Sequence, residues 1–123
     1  MKAIILAGGK GERLRPLSYK IPKPMMQIAG KPVLEHIVTL FKKQNISDFI
    51  FALCYLPNIT KQYFGNGSSF DVKIQYTYED PSQPLGTAGA ITLAKQYIKD
   101  TFIVAYGDIL RKLNISKMIQ EHK

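Results

Sequence analysis

The sequence predicts an α/β fold built on a mostly parallel sheet, and three observations predict it. Short apolar runs at Ala3–Ala7, Phe49–Cys54 and Thr101–Tyr106 have the length and composition of strands buried on both faces. Stretches with helical apolar spacing separate them, so strand and helix alternate along the chain. The first run breaks into three glycines within four residues, Gly8, Gly9 and Gly11. Glycine there permits positive φ and lets backbone N–H groups approach a ligand without a Cβ in the way, as a phosphate chain or a base edge requires.

Lys10, Arg13, Arg15, Lys20 and Lys23 crowd this loop and just beyond it, so an anion is expected on it. Two familiar phosphate motifs fail to match. A Walker loop needs a glycine, four residues and then Gly-Lys-Ser/Thr, a spacing this chain lacks. The dinucleotide fingerprint would need glycine where Leu14 stands, and Pro16 blocks the helix that should open there. Dehydrogenase chemistry is therefore disfavoured.

Met25–Ala29 is a short apolar stretch, and Gly30-Lys31-Pro32 is a break, with Pro32 suited to the first turn of a helix. From Val33 the apolar positions 33, 34, 37, 38, 40 and 41 form a helical stripe to about Gln44, which Asn45 closes. Glu35 and His36 lie beside that stripe. His36 has no metal-spaced partner and is assigned no chemistry, since the other histidine is His122 near the chain end. Asp48 leads into the second strand, and Pro57 opens a helix to about Phe64. After the turn cluster 65–69, Val72–Tyr78 sets Val72, Ile74, Tyr76 and Tyr78 against Lys73, Gln75 and Thr77, the pattern of an edge strand with one face less buried. Pro81, Pro84 and Gly86 make a rigid loop, and Thr87, Ala88, Gly89 and Ala90 open a helix to about Ile98 with side chains small enough for close approach. The third apolar strand ends in Gly107-Asp108, where a carboxylate at the carboxyl end of a central strand faces the crevice in which open α/β sheets bind ligands. On the residues alone, an aspartate there is more often a turn or cap residue. In the tail, Asn114 caps a short helix with Ile115, Met118 and Ile119 on one face.

At 123 residues the chain makes one domain and can bury roughly two-thirds of its unfolded surface. Its formal charge is +8, and residues 1–31 carry seven Lys/Arg against Glu12 alone, a local +6 that leaves +2 for the rest. A nucleic-acid binder more often shows a basic stripe along a helix or aromatics interleaved on a sheet, so a di- or triphosphate is the better partner. Cys54 stands alone in an apolar run and is expected as a small buried hydrophobe. No apolar run reaches the length of a membrane span, and the five apolar residues after Lys2 are too few for a signal peptide, so a cytoplasmic protein without a membrane partner is expected.

The run Leu6-Ala7-Gly8-Gly9-Lys10-Gly11-Glu12-Arg13-Leu14-Arg15-Pro16-Leu17, followed by Lys23-Pro24 and Gly30-Lys31-Pro32, closely resembles the signature of the sugar-1-phosphate nucleotidyltransferases, which make NDP-sugars. The resemblance implies a Rossmann-like three-layer α/β/α fold of the nucleotide-diphospho-sugar transferase type. It implies that the backbone of Leu6, Ala7, Gly8, Gly9, Lys10 and Gly11 holds the nucleotide, that Arg13 grips its β and γ phosphates, and that Lys23 reaches the α-phosphate. The segment 84–89 would pack beneath the nucleotide with Gly86 at base and ribose, and Glu79, Asp80 and Gln83 are the candidates to read the base edge. Asp108 would hold Mg²⁺, a hard cation satisfied by one or two carboxylates with phosphate oxygens and water.

The activity so implied transfers an NMP group from a nucleoside triphosphate to a sugar-1-phosphate, releasing pyrophosphate. The segment 84–89 looks most like mannose-1-phosphate guanylyltransferases, which implies GTP and mannose-1-phosphate. Glu79 or Asp80 would accept from guanine N1 and N2, whereas thymine would suit the amide of Gln83 and a glucose-1-phosphate thymidylyltransferase. Family members need a longer chain, whose later half supplies the sugar pocket and a second metal-binding aspartate. Residues 1–123 therefore read as a truncated, amino-terminal nucleotide-binding part, compatible with a homo-oligomer. From other classes, a non-catalytic nucleotide-binding regulatory subunit and a nucleic-acid-binding module compete, the last distinguished by steeply salt-dependent oligonucleotide binding.

Overall fold

The structure is a computed structural model that describes residues 1–8, 20–80 and 86–107, the side chain of residue 87 excepted. Strand β1 spans Lys2–Leu6. A 3-10 turn at Lys23–Met25 and a two-stranded antiparallel pair, β2 (Gln27–Ile28) and β3 (Lys31–Pro32), lead into helix α1, Val33–Lys42. Then come β4 (Asp48–Leu53), α2 (Pro57–Phe64), β5 (Lys73–Tyr78), α3 (Gly86–Ala94) and β6 (Phe102–Tyr106).

The four longer strands form one sheet in the order β5-β4-β1-β6, and every pair is parallel. The chain moves outward from β1 through β4 to β5, and α3 then carries it back to lay β6 on the other side of β1. That reversal makes the gap beyond the carboxyl ends of β1 and β6 the topological switch point, where open α/β sheets take ligands.

Alternation along the strands builds three layers. Ala3, Ile5, Phe49, Phe51, Leu53 and Ile74 face α1 and α2 and pack with Val33, Leu34, Ile37, Val38, Phe41 and Phe64. Phe49 meets Phe41 and Phe51 meets Phe64 edge-to-face, at 6.0 and 5.2 Å between ring centroids, a geometry worth about 0.5–1.5 kcal/mol per pair beyond burial. Ile4 and Ile50 face the other way, under Ala94, Ile91 and Tyr97 of α3 and its extension. The stripe read from the sequence is thus the buried face of α1. The helix ends where Asn45 takes φ 65° and Ile46 N–H donates back to the Phe41 carbonyl.

Two expectations need correction. Among the described strands β6 is an edge, not a central strand, and Phe102, Val104 and Tyr106 remain 37%, 37% and 53% exposed. Register sets these three on the face of Ile4 and Leu6, and α3 packs over β1, β4 and β5 without covering them. On β5 the expected alternation reverses at its carboxyl end. Thr77 is buried and Tyr78 exposed, because α3 covers the Thr77 face there. No helix among the described residues is long and apolar enough to cross a membrane.

Candidate functional site

The carboxyl ends of the four parallel strands form one row. Leu6 stands opposite Tyr106 on one side and Ala52 on the other, and Leu53 stands opposite Tyr78. Hydrogen bonds extend each pairing past the strand: Ala7 N–H donates to the Ala52 carbonyl, Glu79 N–H to Leu53 and Gly107 N–H to Leu6, at 2.9, 2.8 and 2.9 Å. The start of the glycine loop and the residue before Asp108 are therefore direct neighbours.

Close packing demands glycine at position 8 and leaves little room for a side chain at position 107. A Cβ on Gly8 would lie 2.9 Å from Cys54 Cβ, and one on Gly107 would lie 3.1 Å from Ile5 Cγ2 and 3.2 Å from Ala7 Cβ. The buried Cys54 thus sets how near β1's exit runs to β4's exit. Gly86 has a different reason. It opens α3 at φ 73°, a conformation that glycine adopts without penalty, with open space where a side chain would stand.

Lys23 sits in the 3-10 turn between Pro22 and Pro24, both fully buried, and the next residue, Met25, joins the same core cluster as Ala7. Its backbone is fixed by the fold while its side chain remains partly exposed. Glu79 lies at the carboxyl end of β5, two strands from β1, about 10 Å across the sheet at the usual strand spacing. Its Oε1 is buried and has no hydrogen-bond partner among the described residues. A carboxylate oxygen removed from water without a donor is poised to accept one. Asp80, next along, is exposed. Gly9, Lys10, Gly11, Arg13, Gln83 and Asp108 lie outside the described residues, as does the expected tail helix.

Among the described residues no group of three His, Cys, Asp or Glu side chains could hold a metal ion. The carboxylate nominated for Mg²⁺, Asp108, is one peptide bond beyond Gly107, and Gly107 is tied to Leu6 at the switch point. A hard cation sharing its shell with phosphate oxygens needs only one or two carboxylates, so the single aspartate expected here is chemically consistent with Mg²⁺.

Three features were missed in the sequence reading. Glu35, placed beside the helical stripe, is only 8% exposed, accepts a hydrogen bond from the Tyr63 hydroxyl of α2 and lies 3.6 Å from Lys31 Nζ. The i, i+4 spacing of Lys31 and Glu35 was the available signal. His36 Nε2 lies 2.6 Å from the Ile28 carbonyl, a contact with β2. Thr77, assigned to a less buried face, is 7% exposed with its hydroxyl unpartnered.

Comparison with known proteins adds the following. The family described as nucleotidyl transferase matches residues 2–123. Mannose-1-phosphate guanylyltransferase of Mycobacterium tuberculosis is 37% identical over 122 residues, covering 98% of this chain and 33% of that protein. UTP–glucose-1-phosphate uridylyltransferase of a Synechocystis species is 34% identical over 133 aligned positions, covering all of this chain and 34% of that protein. The crystal structure of HddC from Yersinia pseudotuberculosis complexed with GMP-PN superposes with a TM-score of 0.84 at 36% identity, over 98% of this chain and 53% of that one. The chain thus spans between a third and about half the length of these relatives.

Proposed function

The chain belongs to the nucleotidyl transferase family, and from that premise we propose that it carries the nucleotide-binding part of a sugar-1-phosphate nucleotidyltransferase. The observation that carries this reading is the hydrogen bond between Gly107 and Leu6, which brings the strand end that enters the glycine loop beside the residue that precedes Asp108 in the sequence. GTP is the favoured nucleotide. The unpartnered Oε1 of Glu79 supports it, because a carboxylate suits the adjacent N1 and N2 donors of guanine. Relatives named for guanylyl transfer and the GMP-PN bound by HddC point the same way, and mannose-1-phosphate is the sugar phosphate proposed. A uridylyltransferase at comparable identity marks base choice as the part to be tested.

In this reading the backbone from Leu6 to Gly11 holds the nucleotide, Arg13 holds the β and γ phosphates, and Gly86 admits base and ribose. Lys23 meets the α-phosphate, where the sugar phosphate oxygen attacks as the bond to pyrophosphate breaks. The attacking oxygen is already anionic, so no side chain needs to remove a proton, and the protein's task is to hold two polyanions together and offset the developing charge. Asp108 would hold Mg²⁺, which would supply further charge neutralisation when bound. A cytoplasmic setting is part of this proposal and is compatible with a buried Cys54 outside any disulfide.

Thermal unfolding with GTP, ATP, UTP, CTP and dTTP, each with and without Mg²⁺, tests the proposal. Ligand at 100 times its Kd stabilises the folded chain by about 2.7 kcal/mol, a shift of several degrees for a domain of this size. GTP with Mg²⁺ should give the largest shift. No shift with any nucleotide would refute nucleotide binding, and an equal or larger shift with UTP or dTTP would refute the guanine assignment. Pyrophosphate release with GTP and mannose-1-phosphate then separates a chain that turns over from one that only binds nucleotide.

A further inference from the structure

Two buried polar atoms near the carboxyl end of β5 lack a hydrogen-bond partner among the described residues: Thr77 Oγ1 and Glu79 Oε1. They are complementary, since a hydroxyl can donate and an ionised carboxylate can only accept. They also share a face. Residues two apart on an extended chain point the same way, and the chain stays in the sheet ladder through Glu79, whose N–H donates to the Leu53 carbonyl. That face lies under α3, which packs on β5 and leaves Thr77 only 7% exposed. The other orphaned atoms among the described residues, Asp48 Oδ1 and Thr60 Oγ1, stand on separate elements, at the start of β4 and within α2.

Buried polar groups in native folds are paired with protein or with water. An orphaned donor one pleat from an orphaned acceptor, at the rim of a ligand crevice, is half of an arrangement that the ligand completes. We propose that Thr77 is a positioning residue for base selection, in a site where Glu79 reads the nucleobase. When nucleotide is bound, the Thr77 hydroxyl donates to Glu79 Oε1, directly or through one buried water, and fixes the carboxylate plane. The carboxylate has about four lone-pair sites, so one bond from Thr77 leaves acceptors for two neighbouring base N–H groups. Without that bond the terminal torsion of Glu79 is broad. The preferred ligand is a purine edge with two adjacent N–H donors, as in guanine, and a base that offers one donor gains less from the fixed plane. This inference rests on the assignment of Glu79 made above.

The experiment compares Thr77→Val, Thr77→Ser and Glu79→Gln with the unaltered chain. Calorimetric titration with GTP and with UTP in Mg²⁺ gives the Kd values, and thermal unfolding without ligand reports on the fold. Loss of one hydrogen bond to a charged group corresponds to about tenfold or more in Kd, so Thr77→Val should weaken GTP binding by about that factor. UTP binding should change by less than about twofold, and Thr77→Ser should restore GTP binding, since the lost bond acts through the guanine-specific contact. The unliganded midpoint should stay level or rise in Thr77→Val, because an unpartnered hydroxyl has been removed. If Thr77→Val leaves GTP binding intact while Glu79→Gln weakens it, the role of Thr77 is refuted and base reading by Glu79 stands. If Glu79→Gln also leaves it intact, base reading by Glu79 fails as well. Equal weakening for GTP and UTP with a lower unliganded midpoint would make Thr77 a structural residue and overturn the inference.

Discussion

Gly107 N–H donates to the Leu6 carbonyl at 2.9 Å, so the ends of two strands that the chain reaches a hundred residues apart are locked side by side. Around that bond a side chain would be crowded. A Cβ on Gly107 would meet Ile5 Cγ2, Ala7 Cβ and the Leu6 carbonyl oxygen at 3.1, 3.2 and 3.3 Å. Gly107→Ala should therefore be tolerated only by a small displacement of β6 from β1, at a cost of about 1–3 kcal/mol typical of overpacking. The midpoint of urea unfolding should fall accordingly. A midpoint equal to that of the unaltered chain would show that β6 is not held to β1 as described.

Glu35 and Tyr63 join α1 to α2 through one hydrogen bond, with Lys31 as a second, half-exposed partner of the carboxylate. The bond favours the protonated phenol, and it raises the Tyr63 hydroxyl above its ordinary value, aided by burial and the neighbouring charge. Tyr63 is 42% exposed, so water competes and the bond is expected near the low end for a charged acceptor. A double-mutant cycle of Tyr63→Phe and Glu35→Gln should give a coupling of about 1 kcal/mol in urea unfolding. Strict additivity of the two changes would rule the bond out as a stabilising contact.

Tyr76 gives the fold an alkaline limit. Burial, and next the neighbouring Tyr78, push its hydroxyl from 10.0 up to about 12. The hydroxyl also donates to the Gly65 carbonyl at 2.6 Å, which only the protonated form can do. A folded value above the unfolded one means that the contribution to stability is fully present below about pH 10 and is lost as pH rises toward 12. Thermal midpoints recorded across that interval should decline, and the decline should be shallower in Tyr76→Phe, which lacks the titrating group. Parallel pH profiles for the two proteins would contradict this.

Most of the scaffold could be read from residue patterns because period and punctuation agree at each element. The stripe from Val33 to Phe41 is the buried face of α1, Pro57 opens α2, and the run after Asp48 is β4. What could not be read is which neighbours each element meets. The glycine at position 8 suggests room for a ligand, yet its missing Cβ is also demanded by Cys54, a contact that depends on β1 and β4 lying side by side. Thr77 looks solvent-facing from alternation alone, and only the path of α3 buries it. Likewise the apolar residues of β6 suggest a covered strand, while the cover α3 provides stops at β1. Of the site, the loop's backbone entrance, Lys23, Glu79 and Gly86 fall among the described residues, and the roles proposed for them rest on residue chemistry and on the resemblance.

Lys23 offers the sharpest separation of fold from function. The 3-10 turn around it is held by buried prolines on both sides, by Met25 N–H donating to the Pro22 carbonyl at 2.9 Å and by Met26 N–H donating to the Lys23 carbonyl at 3.2 Å. Lys23→Ala leaves these backbone contacts in place, and the variant's own unliganded thermal midpoint is the reference against which its nucleotide-dependent shift is read. The stabilisation by GTP with Mg²⁺ should shrink sharply, and Lys23→Arg should recover part of it, because the charge returns on a group of different shape. In an active enzyme carrying this segment, losing a fixed cation at the α-phosphate should lower kcat/KM by about 100- to 1,000-fold. A variant that keeps both the nucleotide-dependent shift and turnover within a few-fold of the unaltered protein would remove Lys23 from the phosphate site and leave it a surface residue of a well-anchored turn.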